Sequence, residues 1–307
     1  HVHPDLHEFR ITPDGQHVLM IAMRTLRVDL TSVGALSTGL VNNPFIQEFN
    51  ITSGELVWEW SAAEHLPFTG SYRSNDHGLW EYAHCNAVLK DEHGDYLISF
   101  REFIVMIAKV NGKTKEIIWR LGGKESDFTF NNGSSFIGQH DPQVCRLSLY
   151  SKMTLFDNDR DNCRAEGTYG TGRGIRIRLD YKTMSVSLVR EYLPRQRERV
   201  EIEGGLQLLP NGNVLVAFGS NGWVNEYTHD GELLFEGWAK QVYRAYKYPK
   251  SFWPGEGLPD PNPKPESDSG GSDVTEMIAV SDEVSMVFST GTQVATCGLF
   301  QSLFGLC

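Results

Sequence analysis

A unit of short β-branched and aromatic runs, punctuated by tight glycine turns, recurs four times along this chain and constrains its fold more than any other feature. The first unit runs from Thr12-Pro13-Asp14-Gly15 through Ser53-Gly54 to Trp60, and the second from Asp91-Glu92-His93-Gly94 through Asn111-Gly112 to Arg120. The third starts at Val144 and ends at Tyr192, and the fourth runs from Leu209-Pro210-Asn211-Gly212 through Asp230-Gly231 to Glu236. Residues that alternate with period two between Asp-Gly, Asn-Gly and Ser-Gly turns make antiparallel strands joined by hairpins. No long stretch carries a helical period. The pattern predicts an all-β fold, a β-propeller with about four blades visible in residues 1–253, packed face to face around a channel. A β-sandwich of short strands is the competing arrangement, because hairpin repeats alone do not dictate closure. Trp58, Trp60, Trp119 and Phe235 end their strands and are predicted to pack between blades.

Residues 254–271 are rich in Pro, Gly, Ser and Asp, cannot hold a strand ladder, and read as a linker. The tail, 272–307, is β-prone in places and carries no assigned role. With a net charge of −11 over 307 residues, the chain is a poor partner for nucleic-acid phosphates or an anionic membrane surface. It contains no apolar run long enough to cross a bilayer as a helix. A small molecule is the expected partner. The chain opens at His1 without a methionine, which reads as a processed or trimmed product. The triplets Asn50-Ile51-Thr52 and Asn132-Gly133-Ser134 are acceptor sequons for N-glycosylation, so a secreted or secretory-pathway protein is expected. The five cysteines include no C-x-x-C pair; Cys145 with Cys163 and Cys297 with Cys307 are possible disulfides, which leaves Cys85 free.

The position of polar residues relative to each glycine turn suggests a shared site. His7, Asn86 and Gly204 each lie eight residues before Gly15, Gly94 and Gly212, and His84 lies two before Asn86. Even offsets put these side chains on one face of the strand that precedes the turn. That strand is innermost in a propeller, so His7 and His84 are expected to point at the channel. His140-Asp141 precedes the third unit in the same way. Imidazoles can serve as nucleophile, general base or metal ligand. Arg101 adds a guanidinium fork that suits sulfate, phosphate or carboxylate better than a cation. No metal and no cofactor is expected. The spacing of His1, His3 and His7 suits a metal, and Asp157, Asp159 and Asp161 suggest a calcium loop. The first lies at a chain terminus, and the second has Asn162 and Thr168 where the EF-hand template needs Gly and Glu. Arg195, Arg197 and Arg199 alternate with other residues and read as a solvated strand edge.

Six short blocks, in order, carry a resemblance to a known family. Leu6-His7-Glu8-Phe9-Arg10, Tyr82-Ala83-His84-Cys85-Asn86, Trp119-Arg120-Leu121-Gly122-Gly123-Lys124, Gly138-Gln139-His140-Asp141, Leu155-Phe156-Asp157-Asn158 and Leu208-Leu209-Pro210-Asn211-Gly212 resemble the arylsulfotransferases, particularly their secreted fungal branch. The resemblance spans residues 6 to about 249. It implies a six-bladed propeller, with about two further blades ahead of the His7 block. It also implies transfer of a sulfuryl group from an aryl sulfate to a phenol without a nucleotide donor. Position by position, His140 matches the nucleophile that becomes sulfohistidine, and His84, Asn86 and Arg101 match residues that bind the sulfuryl oxygens. His7 matches a further binding or acid/base histidine, and Gln207 is the choice for the last polar residue of the site. A second reading keeps the pocket and changes the reaction, to dehydration, cyclisation or cycloaddition of a phenol- or tropolone-like compound in fungal secondary metabolism. A third is a non-catalytic propeller that binds a ligand.

Overall fold

A computed structural model describes residues 2–35, 37–75, 78–147, 150–159 and 170–248, together with the backbone of Glu276–Val280, Ser285–Ser289 and Ala295–Thr296. The chain divides into two compact units, 1–202 and 203–307. In the first unit, β1 (Val2–Ile11), β2 (His17–Asp29), β3 (Thr38–Asn50) and β4 (Leu56–Ser61) form one antiparallel sheet in chain order, followed by a single-turn helix, α1 (Ala62–His65). The two-residue β5 (Leu79–Trp80) runs parallel to β3. A second sheet consists of β6 (His84–Lys90), β7 (Tyr96–Glu102), β8 (Met106–Val110) and β9 (Ile117–Gly122). Then β10 (Thr129–Phe130) lies parallel to the last strand of a third sheet, β11 (His140–Leu147), β12 (Tyr150–Asp157), β13 (Arg173–Asp180) and β14 (Ser185–Tyr192).

In the second unit, β15 (Gly205–Leu208), β16 (Val214–Ala217), β17 (Trp223–Tyr227) and β18 (Leu233–Trp238) make a fourth sheet. Each of these four sheets is an up-and-down meander in which sequence neighbours are sheet neighbours, the topology of a propeller blade. The fold is all-β and of the propeller type, as the repeat predicts. A further sheet has no counterpart among the repeats: β19 (Arg244–Tyr248) pairs with β20 (Glu276–Val280), which continues to β21 (Ser285–Ser289) and β22 (Ala295–Thr296). Strands of the predicted tail thus pair with the last strand of the predicted propeller. The linker at 254–271 lies outside the described residues.

The turns follow from local chemistry. Gly94 N–H donates to Asp91 O at 3.0 Å with φ at +83°, a conformation that a Cβ would strain. The same closure joins Gly15 to Thr12 and Gly212 to Leu209. Period-two alternation then sorts the side chains: Tyr96, Ile98 and Phe100 of β7 join Leu19, Ile21, Ile46 and Trp60 of the first sheet in one core. Leu97, from the opposite face of β7, joins Ile107, Trp119, Met153, Leu155 and Ile175 in another. Both faces of the second sheet are therefore buried, which is how blades pack. Trp58, stacked on Tyr96 at 3.7 Å, lies between blades with Trp60 and Trp119. Phe235 does not: it is 37% exposed, since β18 is the outer strand of its sheet. Arg195, Arg197 and Arg199 follow β14 in a loop rather than on a strand edge, although Arg195 and Arg197 are solvated as expected.

Candidate active site

Each predicted histidine sits on the first strand of its sheet, at an irregularity of the ladder. His84 is the first residue of β6 and His140 the first of β11, while His7 lies within β1. The β1–β2 register shifts between Pro4 and Phe9, β6–β7 shifts on both sides of Cys85, and β11–β12 shifts between His140 and Gln143. A bulge re-aims a side chain that strict alternation would send to a sheet face. In β11 the device is visible in the backbone, because Asp141 has φ of +47°, a left-handed value that costs energy for a non-glycine residue.

Two of the histidines meet. His7 Nε2 and His84 Nε2 are 3.2 Å apart, with ring planes 88° to each other and centroids 4.7 Å apart. Behind each ring stands a carboxylate: Asp5 Oδ1 is 2.6 Å from His7 Nδ1, and Glu81 Oε1 is 2.7 Å from His84 Nδ1. The two histidine side chains keep 15% and 17% of their surface exposed, so a solute can reach them. Burial pushes the Glu81 carboxyl up, but the hydrogen bond and charge of His84, with Arg73 and Arg101, hold it below its ordinary value. Asp5 is likewise pulled up by burial and brought below its ordinary value by His7, with His84 adding to the effect.

The third histidine is held differently. His140 is 2% exposed, and its Nδ1–H donates to Asn158 Oδ1 at 2.6 Å and faces Gly138 O at 3.1 Å. Two carbonyl acceptors require the proton on Nδ1, so the neutral ring carries its lone pair on Nε2. Asn158 is anchored in turn by its Nδ2, which donates to Val200 O. Residues on either side of His140 tie this corner to the pair. Asn86, fully buried, donates from Nδ2 to Gln139 O at 2.8 Å, and the Gln139 amide donates to Ser99 Oγ, Phe100 O and Met106 O. Arg10, three residues after His7, donates to Asp141 Oδ1 at 3.2 Å and to Gln143 Oε1 at 3.1 Å. Arg101 is buried, with Nη1 3.0 Å from Glu102 Oε1.

The other candidates have structural partners. Gln207 belongs to the second unit, where its amide donates to Lys247 O and accepts from Lys247 N. Asp157 is buried, accepts from Ile137 N and Asp159 N and pairs with Arg173 at 3.0 Å; burial pushes its carboxyl up. Asp161 and His1 lie outside the described residues. Among the described residues no three His, Cys, Asp or Glu side chains are grouped to hold a metal ion, and no helix is long and apolar enough to cross a membrane. Cys85 is free and buried, and burial raises its thiol well above the ordinary value, so it is a poor nucleophile. Cys163, Cys297 and Cys307 lie outside the described residues, as does the Cys145 side chain. Clefts of about 610 and 500 Å³ open elsewhere, around Glu48 and Lys90 and around Trp119 and Tyr181, and none of the three histidines lines them. Sequence reasoning missed Asp5, Glu81 and Asn158, although Asn158 closes one of the quoted blocks.

Four-stranded meanders whose first strands carry His7, His84 and His140 at bulges define a protein of the β-propeller type with a histidine-containing polar site. The chain belongs to the arylsulfotransferase (ASST) family, whose sequence model matches residues 1–240. It is thus an arylsulfotransferase-like protein, of a transferase-like family that implies a small aromatic substrate. No curated protein matches the chain in sequence. Among solved structures it is similar to a protein of unknown function from Bacteroides caccae, with TM-score 0.43 and 10% identity, covering 91% of this chain and 71% of that one. It is also similar to Sqt1 from Saccharomyces cerevisiae, with TM-score 0.43 and 10% identity, covering 92% and 83%. Likeness at this level decides neither activity nor partner.

Proposed function

We propose that the protein transfers a sulfuryl group from an aryl sulfate to a phenol through a covalent intermediate on His140. The observation that carries the reading is the tautomer of His140: a buried imidazole with Nδ1–H held by Asn158 Oδ1 presents a basic Nε2. In the first half-reaction Nε2 attacks sulfur, an N–S bond forms, and the S–O bond to the aryl group breaks with its electrons leaving on the phenolate oxygen. In the second, the oxygen of an acceptor phenol attacks sulfur, the N–S electrons return to Nε2, and the phenol's O–H proton replaces the one that the departing phenolate took from the acid/base group. Splitting one displacement into two in this way is what a nucleophilic residue contributes. His84, Asn86 and Arg101 bind the sulfuryl oxygens, where fixed donors act on charge as it develops. His7 serves the same site as a binding or acid/base group. Gln207 is left out because both ends of its amide are engaged with Lys247.

Secretion, in the manner of the secreted fungal branch, belongs to the same proposal, with N-linked glycans at Asn50 and the exposed Asn132. A loss of mass on endoglycosidase treatment of the secreted protein, absent when both are Gln, tests that part. For the chemistry, the full chain is incubated with 4-nitrophenyl sulfate at mildly alkaline pH and weighed intact. A gain of about 80 Da, one sulfuryl group, that His140→Ala lacks is the expected outcome. No adduct and no released nitrophenol would overturn it in favour of a reaction on a phenolic metabolite without sulfur.

A further inference from the structure

The Gly122-Gly123-Lys124 block has no part in the proposed chemistry, yet it braces two segments next to His84. A Cβ on Gly122 would come 2.7 Å from Val105 O, and one on Gly123 2.8 Å from Ile104 O, so only glycines let β9 end against the turn that joins β7 to β8. That turn is strained. Ile104 N–H donates to Glu102 O at 2.8 Å across Phe103, a γ-turn whose central φ is +67°, and Val105 has φ of +53°. Lys124 reaches the other way: its Nζ donates to Thr69 O and Ser71 O and lies 4.9 Å from the centre of the Tyr72 ring. Tyr72 N–H joins the two segments by donating to Phe103 O at 2.6 Å.

What the bracing produces is a cation over an aromatic ring. The Arg73 guanidinium carbon lies 4.8 Å from the centre of the half-buried Phe103 ring. Its carboxylate neighbour is Glu81, 3.8 Å from Nη1 and beyond hydrogen-bond reach, because Glu81 turns its other oxygen to His84 Nδ1 at 2.7 Å. Side-chain exposure rises along this row, from 17% at His84 to 30% at Glu81 and 43% at Arg73, so the row leads from the histidine to solvent. On a chain of net charge −11, a local cation is what draws in an anionic solute.

We infer that Arg73, held over Phe103, is a specificity-determining residue that takes a carboxylate carried on the ring of an aromatic substrate whose phenolic end lies at His84. The placing of that phenolic end rests on the sulfuryl-transfer reading above. The planar guanidinium offers a fork of N–H donors that matches the two oxygens of a carboxylate. Phe103 is a positioning residue, acting through the orientation of Arg73. Glu81 separates Arg73 from His84 as a benzene ring separates its para substituents, and its own charge is engaged by the hydrogen bond with His84.

The test begins without turnover, by calorimetric titration of the full chain with 4-hydroxybenzoate and with phenol. The wild type is expected to bind 4-hydroxybenzoate about fivefold more tightly, the scale of a partly exposed ion pair, and the preference should shrink as salt is raised. Arg73→Gln should abolish the preference, and Arg73→Lys, a charge without the fork, should keep part of it. Phe103→Leu should reduce it with Arg73 still in place. A melting temperature near that of the wild type shows that a variant has not simply unfolded. With 4-sulfooxybenzoate and phenyl sulfate as donors, the ratio of their kcat/KM values should fall about fivefold in Arg73→Gln, through KM rather than kcat. Equal binding of the two phenols by the wild type, binding of neither, or a preference that survives Arg73→Gln would overturn the assignment. A preference that Arg73→Gln removes, in a protein that turns over no aryl sulfate, would uphold the carboxylate site and overturn the sulfuryl reading instead.

Discussion

His140 and the His7–His84 pair use the same side chain in opposite electrostatic settings. The Nδ1–H of His140 meets an amide oxygen, which orients the ring and adds no charge. The Nδ1 atoms of His7 and His84 face carboxylates instead, which put negative charge behind each ring. Burial follows the same division: the His140 ring is enclosed, whereas the pair keeps a path to solvent. The difference lies in what stands behind the ring, an amide oxygen for His140 and a carboxylate for each of the other two.

The largest expected effect tests the division directly. His140→Ala should lower aryl-sulfate turnover by about 10⁴-fold or more, the scale of removing a nucleophile, whereas His84→Ala should cost about 10²-fold, the scale of lost acid or binding help. Equal losses, measured as kcat under saturating donor, would break the comparison. Next comes the strut between the two regions. Arg10 leaves β1 close to His7 and reaches Asp141 beside His140, whose carboxylate is buried at a left-handed backbone position. Arg10→Met leaves that carboxylate with one cationic partner fewer, and should cost about 3 kcal/mol in urea unfolding. Exposed Arg195→Met should cost no more than about 0.5 kcal/mol.

A third substitution turns one setting into the other. Asn158→Asp places a carboxylate behind His140, as Asp5 and Glu81 stand behind the pair. An imidazolium beside a carboxylate holds its proton to higher pH, so the acid limb of the kcat profile should move up by about one unit. At neutral pH the rate should fall by less than about tenfold, since one unit gives the full factor only well below both values. A uniform loss at all pH values would mean that Asn158 only anchors the loop through Val200 O.

Much of this architecture is legible in the sequence alone. Asp-Gly and Asn-Gly turns are local devices, and they mark the hairpins of blades whose strands fall where the alternation places them. The even offsets of His7 from Gly15 and of His84 from Gly94, eight and ten residues, also put the two histidines on matching faces of their strands. Other features depend on contacts that spacing does not encode. Bulges at His84, Cys85 and His140 break the period of two, so counting from a turn cannot say that Asn86 faces Gln139. Asn158 reaches His140 across the β11–β12 hairpin, and Glu81 lies in the loop ahead of β6, where no periodicity operates. Pairing of β19 with β20 joins segments separated by the Pro-rich stretch, a non-local contact without a turn signal. Phe235 was misassigned because an aromatic at a strand end has the same pattern on an outer strand as on an inner one.

The smallest expected effect extends the contrast from catalysis to stability. Asp5 and Glu81 have carboxyls below their ordinary values in the folded protein. A depressed carboxyl contributes stability that is fully present above its unfolded value, about 4, and is lost as the pH falls through the folded value. Asp157, on the strand leading to Asn158, is shifted the other way by burial, so protonation relieves a desolvation cost there as acid is added. Amide exchange protection factors, measured from pH 7 to about pH 3.5, should therefore fall a few-fold more at β1 and β6 than at β12. In Asp5→Asn with Glu81→Gln the difference should vanish, because the groups that titrate have been removed while the amides retain their reach. Loss of protection that begins at β12 would place the acid-sensitive contacts at the nucleophile instead, and the two histidine settings would then not differ in what holds them.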